Sequence, residues 1–230
     1  MEILAIVAHP DDMETHCGGV MAKYHEAGHR CWVIVTTNGN KGSMAESPQQ
    51  IAAIRKKEQL RACRVLGMEP PVFLDFEDNM LENTLTFQLC LTAAIRKVNP
   101  DVIFTHFPQD GSNDHKATAR AVMDSLISLR FPNMPIEAPV MNKQPSVFFF
   151  DSDGGVGFLP EIYIDITNEM EKKVQAFSMH ESQTAYDPRY MEDVKLLSRF
   201  RGYQAGYQYA EAFLPYCTFG FVPDYGKLPR

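Results

Sequence analysis

Residues 3–19, ILAIVAHPDDMETHCGG, combine a strand, a sharp polar turn and the start of a helix. Ile3–Ala8 is a short apolar run, which is typical of a parallel strand covered on both faces. The helix that follows stops at Gly28. Its apolar stripe holds Cys17, Val20, Met21 and Tyr24.

The alternation of strands and helices continues through the first half of the chain. Further strands are predicted at Cys31–Thr37, Val72–Phe76, Val102–His106, Val147–Phe150 and Tyr163–Ile166. Further helices are predicted at 48–67, 87–98, 114–129, 168–180 and 190–212. This alternation indicates an α/β fold with a Rossmann-like, mostly parallel sheet in the order 3-2-1-4-5 and helices on both faces. No internal repeat or linker interrupts the chain, so we predict a single domain over residues 1–230.

The segment after the first strand concentrates side chains that bind metals. The six residues 9–14 include His9, Asp11, Asp12 and Glu14. Pro10 disfavours helical geometry at His9. The imidazole of His9 and the carboxylate of Asp12 could chelate one first-row metal ion. The competing interpretation is that Asp11 or Asp12 only caps the helix and that His9 is a turn residue.

A second polar segment, THFPQDGSNDHKATARAV at residues 105–122, follows the fourth strand. The strand ends in His106, a loop carries Asp110, and Asp114-His115 opens a helix. Ligands bind outside the carboxyl ends of parallel strands where the strand order reverses, so we expect His115 to face the first segment. Three protein ligands with room for water describe a catalytic zinc site. Asp114 could instead cap its helix or orient a ligating imidazole.

The composition is that of an ordinary globular protein. The 230 residues are 45% apolar and 22% charged, with a net charge of −7 at pH 7. No basic block is present, which argues against a nucleic-acid or anionic-membrane partner. No apolar run fits a signal peptide or approaches the ~18 residues of a membrane span. Five cysteines without a C-x-x-C pair indicate reduced thiols in a cytoplasmic protein.

Both polar segments resemble those of the PIG-L (LmbE-like) family of zinc-dependent N-deacetylases. The run A-H-P-D-D-x-E-x-x-C-G-G matches at residues 8–19, and the D-H pair matches at 114–115. The resemblance covers nearly the whole chain and continues through TTNGNKG at 36–42, Arg55, Glu58, Leu66-Gly67, DITNEMEKKVQAFSMHESQ at 165–183 and YAEAF at 209–213. It implies a Rossmann-like fold and hydrolysis of the N-acetyl group of a glucosamine-type sugar.

The resemblance also implies roles for particular residues. The zinc ligands by motif match are His9, Asp12 and His115. Asp11 takes the position of the general base, which removes a proton from water and returns it to the leaving amine. The expected partner is a small N-acetylated amino sugar or glycoconjugate.

Three further residues are assigned to the substrate side of the site: Arg55, Asp110 and Ser112. Arg55 shares an inward helix stripe with Glu58, and the resemblance favours a contact between Arg55 and sugar hydroxyls or an attached acidic group. A solvated ion pair between Arg55 and Glu58 is the alternative.

One position departs from the family pattern. Many members carry H-x-D-H where this chain has Ser112-Asn113-Asp114-His115, so an imidazole that could act as electrophile or acid is missing. The candidates to replace it are His106, His16 and His180. We expect His106, because it leaves the fourth strand at the edge of the crevice, and we assign it to catalysis together with Asp11 and Asp114.

Two other classes of function compete with this interpretation. The missing imidazole leaves open a catalytically weak metal- or sugar-binding homologue. A dinucleotide-binding oxidoreductase is disfavoured, because HPDD stands where G-x-G-x-x-G would follow the first strand. The identity of the sugar conjugate and the association of identical chains into a homo-oligomer are left open by the sequence.

Overall fold

The computed structural model describes residues 1–187, 189–218 and 220–229, which form one seven-stranded sheet with helices on both faces. The strands are β1 (Glu2–Val7), β2 (Arg30–Thr37), β3 (Val72–Phe76), β4 (Val102–Thr105), β5 (Ser146–Phe150), β6 (Ile162–Asp165) and β7 (Ala210–Pro215). The helices are α1 (Asp12–Glu26), α2 (Pro48–Leu66), α3 (Leu85–Val98), α4 (Asn113–Ser128), α5 (Met170–Phe177), α6 (Glu181–Thr184) and α7 (Arg189–Ala205). No helix among these residues is both long and apolar enough to cross a bilayer.

The strand order is β3-β2-β1-β4-β5-β7-β6, which confirms the predicted fold class and the predicted order of the first five strands. These five strands are parallel, whereas β7 runs antiparallel to both β5 and β6. Strands β1 and β4 pair directly, with Ile6 opposite Thr105. The carboxyl ends of these two strands therefore lie side by side where the strand order reverses.

The sheet separates two buried layers of side chains. Successive residues of a strand point to opposite faces. Ile3, Ala5 and Val7 of β1 therefore pack in a cluster with residues of α1, α2 and α5. Leu4 and Ile6 pack on the other face with residues of α3 and α4. Burial on both faces explains why β1 has no alternation of apolar and polar residues.

The predicted helix over residues 190–212 is wrong after Ala205. Helix α7 ends at Ala205, the chain reverses through Gly206 with a φ of 80°, and Ala210–Pro215 forms β7. A positive φ is favourable for glycine and stops the helix. The helix predicted at 168–180 is likewise shorter, because α5 spans Met170–Phe177 and the short α6 follows it.

A buried charge network joins β7 to helices α1 and α5. Helix α1 is kinked at Cys17, and the backbone N–H groups of Gly19 and Val20 donate to the carboxylate of Glu211 at 2.9 and 2.7 Å. Lys173 of α5 donates to the same carboxylate at 2.7 Å. The side chains of Lys173 and Glu211 are 1% and 2% exposed, so each charge is stabilised by its partners and not by water.

We expect that removing Glu211 alone destabilises the protein more than removing the pair. Glu211→Leu leaves the Lys173 ammonium buried without a counter-charge, and such losses cost about 3–5 kcal/mol. Lys173→Met combined with Glu211→Leu should recover part of the loss, because apolar side chains can replace a buried pair. The free energy of unfolding from urea denaturation measures both effects.

The exposed pair between Lys172 and Glu26, 3.1 Å apart, is the matched control. Lys172→Met should change the free energy of unfolding by no more than about 1 kcal/mol. A Glu211→Leu effect as small as that of the control would contradict the importance of the buried network.

Candidate active site

A cavity of about 760 Å³ opens over the carboxyl ends of β1 and β4. Its volume lies within the ~300–1,000 Å³ typical of ligand sites. The residues assigned from sequence that line it are His9, Asp11, Asp12, Arg55, Ser112 and His115. The other three assigned residues, His106, Asp110 and Asp114, are buried beneath these. The two polar segments therefore meet, and their side chains form two layers.

Three nitrogen and oxygen atoms converge at the floor of the cavity. Asp12 Oδ2 lies 3.4 Å from His9 Nδ1 and 3.5 Å from His115 Nε2. The two imidazole nitrogens are 3.2 Å apart. Ligand atoms that sit about 2.0–2.1 Å from a tetrahedral zinc ion are separated by about 3.3–3.4 Å. His9, Asp12 and His115 thus have both the chemistry and the spacing to hold one zinc ion.

A second layer of carboxylates lies behind the two imidazoles. His9 Nε2 is 3.2 Å from Asp114 Oδ2 and 3.2 Å from Asp78 Oδ1. His115 Nδ1 is 3.1 Å from Asp110 Oδ1. A carboxylate on the far nitrogen of an imidazole fixes the tautomer and the orientation of a ligating histidine. Asp114 and Asp110 therefore lie where they orient His9 and His115 and do not reach into the cavity.

The carboxylates favour positive charge in this part of the molecule. Burial lowers the pKa of His115, but Asp12 and Asp110 outweigh it and raise that pKa to about 10. The pKa of His9 is likewise well above its usual value, since Asp12, Asp114 and Asp78 outweigh burial. A site that favours the charged form of two imidazoles also suits a divalent cation, because metal binding replaces such protons.

Asp11 is held in an unusual backbone conformation beside this site. Its φ of 109° lies in a region that L-residues rarely adopt. The Asp11 N–H donates to Oε1 of Gln59 at 3.1 Å, and Arg55 Nη2 donates to the Asp11 carboxylate at 3.1 Å. The Asp11 side chain makes no cap hydrogen bond to α1, so helix capping does not explain it. Backbone strain at a carboxylate that lines a cavity points to a functional constraint.

Burial raises the pKa of the Asp11 carboxyl, and the Arg55 guanidinium opposes that rise. A carboxylate whose pKa is moved towards neutrality is better matched to accepting a proton in catalysis than one at its ordinary value. Asp11 thus combines access to the cavity, a fixed orientation and a suitable direction of the pKa shift.

Arg55 is fixed by the protein. Its Nη2 also donates to the Pro10 carbonyl at 2.7 Å, and its Nη1 donates to the Gly39 carbonyl at 3.4 Å. A Cβ at Gly39 would come within 2.7 Å of Nη1, so glycine lets the loop after β2 close over the guanidinium. Glu58 accepts hydrogen bonds from the Ser182 N–H and Oγ at 2.8 and 2.7 Å. The alternative of a solvated pair between Arg55 and Glu58 is therefore wrong.

The structure does not bring His106 to the cavity. Its side chain is completely buried, and its Nε2 accepts the Ala8 N–H at 2.9 Å. Burial and the neighbouring His115 lower the pKa of His106 to about 3, which keeps the ring neutral. The ring stacks on that of His115, with centroids 3.9 Å apart. The prediction that His106 contacts the substrate therefore disagrees with the structure. The His106 ring packs against His115 instead.

The other two candidate imidazoles differ in their access to the cavity. His180 is completely buried, and its Nε2 lies 3.4 Å from Oε2 of Glu14. His16 lines the cavity and stacks on Phe150, with ring centroids 4.9 Å apart and planes at 4°. Neither ring nitrogen of His16 makes a hydrogen bond within the described part of the chain. Its Nε2 is 3.2 Å from Oδ1 of Asp153.

Several residues of the site were not singled out from the sequence. Asp78 and Asn79 follow β3, and the Asn79 N–H donates to Asp114 at 2.7 Å. The rule that placed the other two segments, polar residues at a strand end, applies equally to FEDNM at 76–80. Gln59 bridges the Asp11 backbone to Glu14, with 2.6 Å between its Nε2 and Oε1 of Glu14. A glutamine on the buried side of α2, beside Arg55 and Glu58, gave no comparable signal.

Solved and curated proteins resemble this chain in sequence and in fold. Diacetylchitobiose deacetylase of Thermococcus kodakarensis is 26% identical over 96% of this chain and 88% of that protein. The structure of N,N'-diacetylchitobiose deacetylase from Pyrococcus horikoshii matches with a TM-score of 0.84 and 26% identity, covering 93% of this chain and 83% of that one. The whole fold is therefore shared with these deacetylases.

A third protein shares the fold alone. The 4-carboxy-2-hydroxymuconate hydratase of Pseudomonas putida matches with a TM-score of 0.84 at 20% identity, over 95% of this chain and 97% of that one.

The model of the PIG-L family, described as GlcNAc-PI de-N-acetylase, matches residues 4–126, which is just over half of the chain. The chain belongs to the PIG-L family.

Proposed function

We propose that this protein is a zinc-dependent hydrolase that removes the N-acetyl group from an N-acetylglucosamine-type sugar or sugar conjugate. The observation that carries the proposal is the convergence of His9, Asp12 and His115 on one point, with the strained Asp11 carboxylate beside them on the same cavity wall. The deacetylases that resemble the chain support the reaction class. The three free cysteines buried in the core agree with the expected cytoplasmic location.

Each residue of the proposed site has a separate task. Zinc held by His9, Asp12 and His115 would polarise the amide carbonyl and would lower the pKa of a bound water to about 7. Asp11 accepts a proton from the attacking water as the oxygen of that water forms a bond to the acetyl carbon. When the C–N bond breaks, Asp11 gives the proton to the departing amine, and acetate is released. Arg55 keeps the Asp11 carboxylate aimed at the cavity.

The donor that stabilises the negative oxygen of the tetrahedral intermediate is proposed to be His16. Ser112 occupies the position of the family imidazole, and its Oγ accepts the His115 N–H to cap α4. His16 is buried and lines the cavity; its Nδ1 has no hydrogen-bond partner within the described residues, and its Nε2 lies 3.2 Å from the Asp153 carboxylate. Stacking on Phe150 fixes its ring plane. A preorganised donor of this kind is what charge development in the transition state requires.

A catalytically weak binding homologue is the second candidate, and Ser112 is the observation that favours it. The two candidates differ in acetate release at one zinc per chain from N-acetylglucosamine conjugates. Release that depends on added zinc supports the hydrolase, whereas tight sugar binding without acetate supports the homologue.

We expect about one zinc per chain, and loss of most of it in His9→Ala and His115→Ala. Asp110→Asn should weaken zinc binding about 10–100-fold, because it removes the carboxylate that orients His115. Elemental analysis and zinc titration measure these effects. Asp124→Asn, on the exposed side of α4, is the control and should bind zinc like the wild type. Full zinc content in both histidine variants would contradict the ligand assignment.

Asp11→Asn should keep its zinc and lose about 10²–10⁴-fold in turnover, because an amide cannot accept the proton of water. Acetate release at saturating zinc is the measurement. Asp114→Asn is the matched variant, since it should bind zinc more weakly but regain turnover when zinc is added. A fast Asp11→Asn enzyme beside an inactive Asp114→Asn enzyme would exchange the roles of the two acids.

His16→Phe should slow acetate release about 10²–10³-fold with normal zinc content, because it keeps the stack on Phe150 but loses the donor. His16→Gln, which retains an N–H donor, should be less affected. Ser112→His placed in the His16→Phe enzyme should restore part of the rate. An unchanged rate in His16→Phe would leave Arg55 and the metal as the remaining electrophiles.

A further inference from the structure

Helix α7 packs against the rest of the protein with its small and charged residues. Its buried side chains are Val194, Ser198, Arg201 and Gly202. A surface helix ordinarily buries its large apolar side chains and exposes its polar ones. In α7 large apolar side chains remain outside instead, and Leu196 and Phe200 are 62% and 52% exposed. This reversal requires an explanation beyond the packing of the fold.

The unburied apolar residues of α7 form one wall of the cavity. Tyr190, Leu197 and Phe200 recur at helical spacing along this wall. Phe177 of α5 and the buried Val194 continue the wall inwards, towards the end where His16 and His115 lie. The cavity thus has a polar inner half, which contains the proposed catalytic groups, and an apolar outer half.

The wall is fixed in place before any ligand arrives. Arg201 of α7 donates to both carboxylate oxygens of Asp151, at 2.6 and 3.1 Å, and both side chains are 4% exposed. Gly202 allows α7 to pack closely against the segment that follows it. A Cβ at Gly202 would lie 2.8 Å from the Gln208 carbonyl oxygen. A preformed apolar wall loses little conformational entropy when a ligand binds to it.

Charge in the cavity disfavours an anion. Asp193 of α7 lies on the same side of the cavity as the apolar wall, whereas Asp153 lies at the inner end, 3.2 Å from Nε2 of His16. Among the described lining residues Arg55 is the one guanidinium or ammonium group, and it is engaged by Asp11 and two backbone carbonyls. A carboxylate or phosphate on a ligand in the outer half would find no free cation there and would face the acidic side chain of Asp193.

We infer that the outer half of the cavity binds an uncharged apolar group, alkyl or aryl, attached to the sugar whose N-acetyl group lies at the inner end. This inference rests on the proposed deacetylation for the identity of the sugar. It adds the class of the aglycone: apolar and not anionic. Burying the aglycone against Leu197 and Phe200 removes apolar surface of both partners from water.

The test uses methyl, propyl, pentyl and 5-carboxypentyl glycosides of N-acetylglucosamine with the zinc-loaded protein. The kcat/KM for acetate release should rise about three- to fourfold for each methylene that is buried. The 5-carboxypentyl glycoside should fall back to the level of the methyl glycoside or below it. Equal values along the alkyl series, or a preference for the carboxylate, would overturn the inference.

Two variants locate the effect. Leu197→Asn should reduce the ratio of the pentyl to the methyl value towards one, because it makes the centre of the wall polar. Tyr203→Ser is the control, since Tyr203 is an exposed aromatic on the same helix, at 84% exposure, that does not contribute to the wall. It should keep the wild-type ratio. An unchanged ratio in Leu197→Asn would remove α7 from the aglycone site.

Calorimetric binding to Asp11→Asn separates this inference from the proposed function. Tighter binding of the pentyl than of the methyl glycoside supports the apolar subsite even if the wild type releases no acetate. Acetate release with no dependence of either kcat/KM or Kd on the alkyl chain overturns the subsite while leaving the deacetylase intact. The two hypotheses therefore fail in different measurements.

Discussion

The pairing of β1 with β4 is the constraint on which the site depends. His9 and His115 are 106 positions apart in the chain, yet their facing nitrogens are 3.2 Å apart. The parallel register that sets Ile6 opposite Thr105 brings the two following segments to the same height. The Ala8 N–H extends this alignment beyond the last strand pair by donating to His106. The geometry of the candidate metal site is thus a consequence of backbone register, and the hydrogen bond to His106 is part of that register.

The same arrangement concentrates negative charge in the protein interior. Four buried carboxylates, those of Asp12, Asp78, Asp110 and Asp114, surround two imidazoles. Buried carboxylates without counter-charge would be very unfavourable, so the site needs positive charge from its histidines or from a metal. Backbone amides satisfy part of this need, since Asp114 accepts the N–H groups of Asn79 and Leu81. The loop after β3 is therefore fixed by the same carboxylate that orients His9.

The sequence predicted those features whose signal is local in the chain. The continuous apolar run of β1, the helix that follows it and the polar residues at two strand ends each depend on neighbours within about one turn or strand, as periodicity arguments require. β7 was missed because its stability depends on distant partners. Glu211 binds backbone groups 192 and 191 positions away, at Gly19 and Val20. A single buried carboxylate in YAEAF carries no mark of that pairing.

Side-chain direction at the site was also beyond the sequence. His106 and Asp110 were expected in the cavity because they lie in the right segment, and Asp114 was left between catalysis, a helix cap and the orientation of an imidazole. Residues of one loop can face opposite sides of such a site. The segment shows which residues can meet, whereas burial decides which of them touch a ligand. His16 illustrates the converse. It lies on helix α1, yet its ring stacks on Phe150 and lines the cavity. In the proposed mechanism, the absence of an imidazole at Ser112 and the use of His16 move a donor from the start of α4 to α1 and leave the proposed ligands unchanged. Two chains of this fold could thus share every metal ligand and still differ in which face of a substrate they stabilise.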